Sequence, residues 1–77
     1  MQCHPIYHIR NVPIYVRNLP SGDITVWHPV NDFTRLIVEA ICRDHGYWHS
    51  VYNNWIIFSA FKHQVIAEIT SAGEQYV

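Results

Sequence analysis

The chain has 77 residues, of which 49% are hydrophobic, 14% aromatic and 14% charged, with a formal net charge of −1. That length holds one domain, and the composition is too apolar and too weakly charged for an intrinsically disordered chain. No run of about 18 apolar residues is present to span a membrane, and a net negative charge offers no basic footprint for nucleic acid.

Met1 to Arg10 lacks the unbroken apolar stretch of a signal peptide, so the chain reads as cytoplasmic. Residues 1–5 read as a loose start, and Ile6 to Arg10 as a short strand. Pro13 interrupts, and a proline demotes its strand to a sheet edge. Ile14 to Arg17 alternates. Pro20-Ser21-Gly22-Asp23 is a turn, because proline presets one dihedral and glycine accepts a positive φ. Ile24 to Val30 returns as a strand with Ile24, Val26, His28 and Val30 on one face. Residues 14–30 thus read as a β-hairpin.

Asn31 and Asp32 are good helix N-caps. After them Phe33, Leu36, Ile37, Ala40 and Ile41 fall at the spacing of an amphipathic stripe, which predicts a helix over 32–45. Arg43 sits in its last turn, where the macrodipole favours a cation, and Gly46 supplies the stop. From Tyr47 to Ser59, Asn53-Asn54 divides two β-prone runs and predicts a two-residue hairpin turn. That register pairs Tyr52 with Trp55, Val51 with Ile56, Ser50 with Ile57 and His49 with Phe58. One face then carries Tyr47, His49, Val51, Ile56 and Phe58, and the other Trp48, Ser50, Tyr52, Trp55 and Ile57. Ser59 caps a second helix over 60–71, with Phe61, Val65 and Ile69 in a row beside Ile66. Gly73 ends it and residues 74–77 read as a loose tail. Phe33, Phe58 and Phe61 are assigned to the core.

The fold class is therefore α+β, a small two-layer domain in the order β-β-β-α-β-β-α, with antiparallel hairpins packed on two helices. A domain this small buries only about 60% of its unfolded surface, and association is one way to stabilise it, so homodimerisation is a reading of the same surface.

Four constellations could carry chemistry. The hairpin over 47–58 is apolar on both faces, whereas a two-layer domain covers only one. Either the tail or the first strand lies over the second face, or the rings pack partly exposed, or Trp48, Tyr52 and Trp55 form a binding surface. Trp and Tyr are enriched at binding hot spots, and aromatic rings on a sheet can also stack single-stranded bases. Five Lys and Arg against six Asp and Glu favour a protein partner, because nucleic-acid affinity comes largely from phosphate neutralisation. The second constellation is Cys3, His4 and His8 with Cys42, His45 and His49. Spacings of C-x2-H-x3-H are of the zinc-ligand kind, and Cys3, Cys42, His45 and His49 could make a quartet. Against it, Gly46 and a change of element separate His45 from His49. A Cys3–Cys42 disulfide is the other use of the cysteines, and two reduced thiols with Cys42 in the core is the plainer one. Third, Asp44 with His45, or Glu39 with His49, could serve as an acid/base pair, but no catalytic or nucleotide-binding motif accompanies them. Fourth, six histidines would turn the net charge positive below about pH 6.5.

The segment from Asp32 to Ile69 runs helix (Phe33, Leu36, Ile37, Ala40), Gly46, a hairpin with Trp48 early and Asn53-Asn54-Trp55-Ile56-Ile57 on its return, then a second helix. It resembles the HARP-type unit attached to annealing helicases, and the resemblance implies a DNA-structure-binding accessory module. Those modules are typically basic, whereas this segment holds only Arg35, Arg43 and Lys62 as cations. In size, charge and aromatic content the whole chain is also similar to small phage and plasmid proteins such as the anti-CRISPRs. That likeness implies a non-catalytic inhibitor that docks on a larger host complex, which can be a nucleoprotein complex. The leading expectation is thus a non-enzymatic protein-binding module without a cofactor. Trp48, Tyr52 and Trp55 are its anchors, and Arg35 and Arg43 give orientation. The alternative is the nucleic-acid-binding module.

Overall fold

The computed structural model describes residues 6–76. Strands β1 (Ile6–Ile9), β2 (Val12–Asn18) and β3 (Ile24–Trp27) precede helix α1 (Asp32–Cys42). Strands β4 (Gly46–His49) and β5 (Asn54–Ile57) follow, then a 3-10 turn over Ser59–Phe61 and helix α2 (Lys62–Gln75). This is the predicted order, and the fold is a small α+β domain. All strands join one antiparallel sheet in the order β1-β2-β3-β5-β4.

The first connection is tighter than the sequence suggests. Ile9 pairs with Val12, and Arg10 and Asn11 turn the chain with φ of 49° and 67°. Two positive φ values in a two-residue loop match the twist of the flanking strands. Pro13 does not demote its strand. β2 runs through it and is interior to the sheet. Its missing N–H costs nothing because Pro13 opposes His8 on the β1 side, while β3 ends at Trp27 opposite Tyr15 and leaves no strand beside Pro13. The 20–23 turn forms as expected, with Gly22 at φ 94°. β3 is shorter than predicted. It stops at Trp27, ahead of Pro29, so His28 and Val30 leave the sheet and Val30 is fully exposed.

Alternation sorts the sheet into two faces. Ile9, Ile14, Val16, Ile24, Val26 and Ile57 point to the helices and are buried with Val38, Ile41, Cys42, Val65, Ile69 and Ala72. Each fully buried Ile or Val of this set contributes about 1.5–3 kcal/mol. The opposite face carries Ile6, Tyr15, Arg17, Trp27, Tyr47 and Phe58, all exposed. Of its strand residues only Ile56 is buried, in register between Thr25 and Tyr47.

α1 starts where predicted: the Asn31 side-chain oxygen accepts from the Thr34 N–H at 2.9 Å. Its core stripe is corrected in part: Ile41 is buried and Ile37 packs against the core as expected. Thr34, Val38, Ile41 and Cys42 are buried, while Phe33, Leu36 and Ala40 are exposed. The helix is turned by about 100°, one residue's worth. Val38 and Cys42 widen the apolar surface beyond one face, and the sheet takes the side that carries them. The helix ends at Cys42, earlier than expected. The His45 ring caps it, donating Nδ1–H to the Ile41 carbonyl at 2.8 Å.

Gly46 is not the helix stop. It opens β4 opposite Ile57, where a Cβ would run into the backbone carbonyl of Ile56. Gly73 likewise does not end α2, which continues to Gln75. A Cβ at Gly73 would lie 2.6 Å from the His8 carbonyl oxygen, so glycine there lets α2 rest on β1. Ser59 does not cap α2 with its hydroxyl; its N–H donates to Asp23 Oδ1 at 2.9 Å. The predicted loose tail is helical at Glu74 and Gln75, and the Tyr76 carbonyl accepts from the Arg10 N–H at 3.1 Å. The three phenylalanines are not core. Phe33 packs edge-on to Tyr76 with the Arg10 guanidinium 4.5 Å from its ring centre. Phe58 lies against Tyr47 and Phe61 against His45. Residues 1–5 and 77, and with them any role of Cys3 and His4, lie outside the described residues.

Candidate binding cleft

The β4–β5 hairpin has a different register from the predicted one. Gly46 pairs with Ile57, Tyr47 with Ile56, Trp48 with Trp55 and His49 with Asn54. The turn is the four residues 50–53, with a positive φ at Asn53 alone. Only Asn53 adopts the left-handed conformation, and Asn54 is spent in the strand. Val51 and Tyr52 therefore sit in an exposed turn, not on a strand face.

This change divides the predicted trio. Trp48 and Trp55 remain together, directly opposite one another, with ring centroids 5.5 Å apart at 69°. Tyr52 leaves them and lies against His49, 5.0 Å between centroids. The aromatic rings of the described residues meet in such pairs and do not merge into one patch. Tyr15–Trp27 and Tyr47–Phe58 are further pairs, at 5.4 and 5.9 Å.

Trp48 and Trp55 lie on the helix-facing side of the sheet, by register with Val26 and Ile57. Trp55 packs against the core, whereas Trp48 on the edge strand is 49% exposed. α1 packs beside α2, and a cleft of about 710 Å³ opens between the start of α1 and the hairpin. Its walls include Trp48 and Trp55, the end of β3 (Val26, Trp27, His28), and Asn31, Asp32, Arg35 and Glu39 of α1. All three tryptophans of the chain thus border one cleft. Arg35 joins them as its sequence position suggested. Its Nη1 lies 3.8 Å from Glu39 Oε2 one turn on, both side chains well exposed. Arg43 does not join. It is the C-terminal cap of α1, exposed and away from the cleft.

Sequence reasoning missed Trp27, Asp32 and Glu39. Trp27 is out of phase with Ile24 and Val26, so alternation puts it on the other face of the strand. Trp27 is the last residue of β3 and its ring lies against Tyr15 on the opposite face, so it reaches the cleft only from the end of the strand. Glu39 is spaced i,i+4 from Arg35, the spacing of a helix-surface ion pair.

The Cys/His residues do not converge. Cys42 is free and fully buried. Burial pushes its thiol up to about 12, with Glu68 adding to the shift. A thiolate is the form that binds metal or reacts, so this thiol is inert near neutral pH. His45 uses Nδ1 on the helix end, and His49 belongs to the opposite face of the sheet. Among the described residues no three His, Cys, Asp or Glu side chains come together to hold a metal ion. Glu39, one of the imagined acid/base partners, pairs with Arg35 instead. Also among the described residues, no helix is long and apolar enough to cross a membrane.

The chain matches no protein-family model, no curated protein and no solved structure.

Proposed function

We propose that the protein is a non-catalytic binding module that holds a protein partner at the cleft between α1 and the β4–β5 hairpin. The observation that carries this reading is the Trp48–Trp55 pair lining one opening, which Trp27 also borders from the end of β3. Tryptophan is among the residues most enriched at binding hot spots, where it fills or lines desolvated pockets. Trp48 is the anchor, because half of its surface is open. Trp55 backs it from the core, and Arg35 and Glu39 form a polar rim. The concrete form is a small inhibitor of the mobile-element kind, such as an anti-CRISPR, that docks on a larger host complex. Its size, near-neutral charge and ring-lined cleft support that form. The test is partner capture from host extract by the wild-type chain and by Trp48→Ala, with circular dichroism on both. A specific partner retained by the wild type and lost by a folded Trp48→Ala supports the reading. Equal retention by both contradicts it.

A second reading is favoured by a separate observation. The uncovered sheet face presents Tyr15, Trp27, Tyr47 and Phe58 with Arg17, and exposed rings on a sheet stack single-stranded bases. This is the nucleic-acid module of the HARP-like alternative. Charge weighs against it. Arg10 lies over Phe33 and Arg35 beside Glu39, which leaves few cations for phosphates. Titration of a labelled oligonucleotide at low salt tests it, since electrostatic affinity is greatest there. Absence of binding removes it.

A further inference from the structure

We propose that the cleft selects a cationic group, the guanidinium or ammonium of a basic side chain on the protein partner. This rests on the reading that the cleft is the docking site. Two features of its walls point the same way. Trp48 and Trp55 meet edge to face, an arrangement that leaves ring faces not spent on the partner indole. The face of an indole carries negative quadrupolar potential and attracts a cation, tryptophan best among the aromatics. The charges on the walls also favour a cation. Of the Asp, Glu, Lys and Arg side chains lining the cleft, Asp32 and Glu39 are opposed by Arg35 alone, and His28, which also lines it, directs Nδ1 at the Pro29 carbonyl.

Arg35 makes the sign of the proposal testable. Its guanidinium and Glu39 are an exposed pair at 3.8 Å, a geometry of little net worth. An incoming cation can take over Glu39 at small cost. Arg35 then acts as a competitor for Glu39 and repels the ligand. An anionic ligand would reverse these roles, with Arg35 as its anchor and the two carboxylates opposing it. A neutral apolar ligand would be indifferent to all three charges.

The probes are short capped peptides that differ in one central residue: arginine, lysine, trimethyl-lysine, leucine or glutamate. Binding is read from the tryptophan emission of the full chain and from chemical shifts of the three indole N–H groups. The proposal expects saturable binding of the three cationic peptides and at least tenfold weaker binding of the leucine and glutamate peptides. Asp32→Asn with Glu39→Gln should weaken the arginine peptide several-fold. Arg35→Gln should tighten it. Asp32→Asn and Glu39→Gln are near-isosteric, Arg35→Gln shortens an exposed side chain, and none of the three residues is buried, so the fold is kept. The cation assignment is overturned by preference for the glutamate or leucine peptide, by opposite signs for the charge variants, or by no saturable change with any cationic peptide. If the assignment fails while Trp48→Ala still loses the captured partner, the docking reading stands with a different ligand chemistry. If Trp48→Ala keeps that partner, the docking reading fails itself.

Discussion

Trp48 and Trp55 oppose each other across the β4–β5 ladder, and their rings meet edge to face at 5.5 Å. One belongs to the sheet edge and is half-open, while the other is seated against the core. Their substitution should therefore have unequal effects. Trp55→Ala is expected to cost about 3 kcal/mol, as for a largely buried aromatic, and Trp48→Ala about 1 kcal/mol. A double-mutant cycle should return a coupling of about 0.5–1.5 kcal/mol for the pair. Urea denaturation of the four proteins checks this, and equal single-mutant losses would show that Trp48 is core.

Gly46 and Gly22 are needed for different reasons. Gly22 has a positive φ and open space around its Cβ position, with Ser59 Cβ at 3.7 Å. Gly22→Ala should cost about 1 kcal/mol of backbone strain. At Gly46 a Cβ meets the Ile56 carbonyl, with the Ile56 carbonyl carbon at 2.8 Å and Ile57 Cα at 2.9 Å. Backbone cannot swing aside as a side chain can, so Gly46→Ala should push β4 off β5. The expected result is a larger fall in melting temperature than for Gly22→Ala, with loss of hydrogen-exchange protection in β4. Comparable melting temperatures would contradict it.

Thr34 is fully buried and its hydroxyl has no hydrogen-bond partner among the described residues. The useful part of the residue is its backbone N–H, which Asn31 caps. Thr34→Val keeps the shape and the N–H and removes the stranded hydroxyl. It should raise stability by about 1 kcal/mol, whereas Asn31→Ala should lower it by about 1 kcal/mol. Denaturation midpoints for the two variants decide the point, and a destabilised Thr34→Val would show that the hydroxyl is satisfied in solution.

Cys42 links stability to alkaline pH. Burial raises its thiol from 9.0 to about 12 in the folded chain. Above pH 9 the unfolded chain releases this proton while the folded chain keeps it. The contribution is complete below pH 9 and is lost as the pH rises toward 12. The urea midpoint of the wild type should thus fall more steeply between pH 8 and pH 10.5 than that of Cys42→Ala. The native thiol should also resist a disulfide reagent at pH 8 until denaturant is added. Prompt modification would place Cys42 at the surface.

The fold was legible wherever local chemistry and tertiary packing agreed. Asn31, Gly22 and the runs Ile24–Trp27 and Val65–Ile69 each carry a local signal that the finished fold uses. The sequence misled where two local solutions compete. Asn53 and Asn54 can both turn a chain, and sheet pairing chose the register that brings Gly46 against Ile57. Phe33, Leu36 and Ala40 form as good a stripe as Thr34, Val38, Ile41 and Cys42, and the sheet decided between them. The site was half legible for the same reason. Trp48 and Trp55 stay together under either register because both keep them on one face. Tyr52 depended on the turn, and the convergence of Trp27, Asp32 and Glu39 depends on where α1 sits.

The most direct test of the docking reading is a two-dimensional NMR titration of the chain with the partner that the wild type retains. The indole N–H signals of Trp48 and Trp55 and the amides of Asp32 and Arg35 should shift first and furthest. Amides of Arg17, Thr25 and Tyr47 on the uncovered face should stay in place. Shifts confined to Arg17, Thr25 and Tyr47, with the two indoles unmoved, would contradict it and move the binding surface to the other side of the sheet.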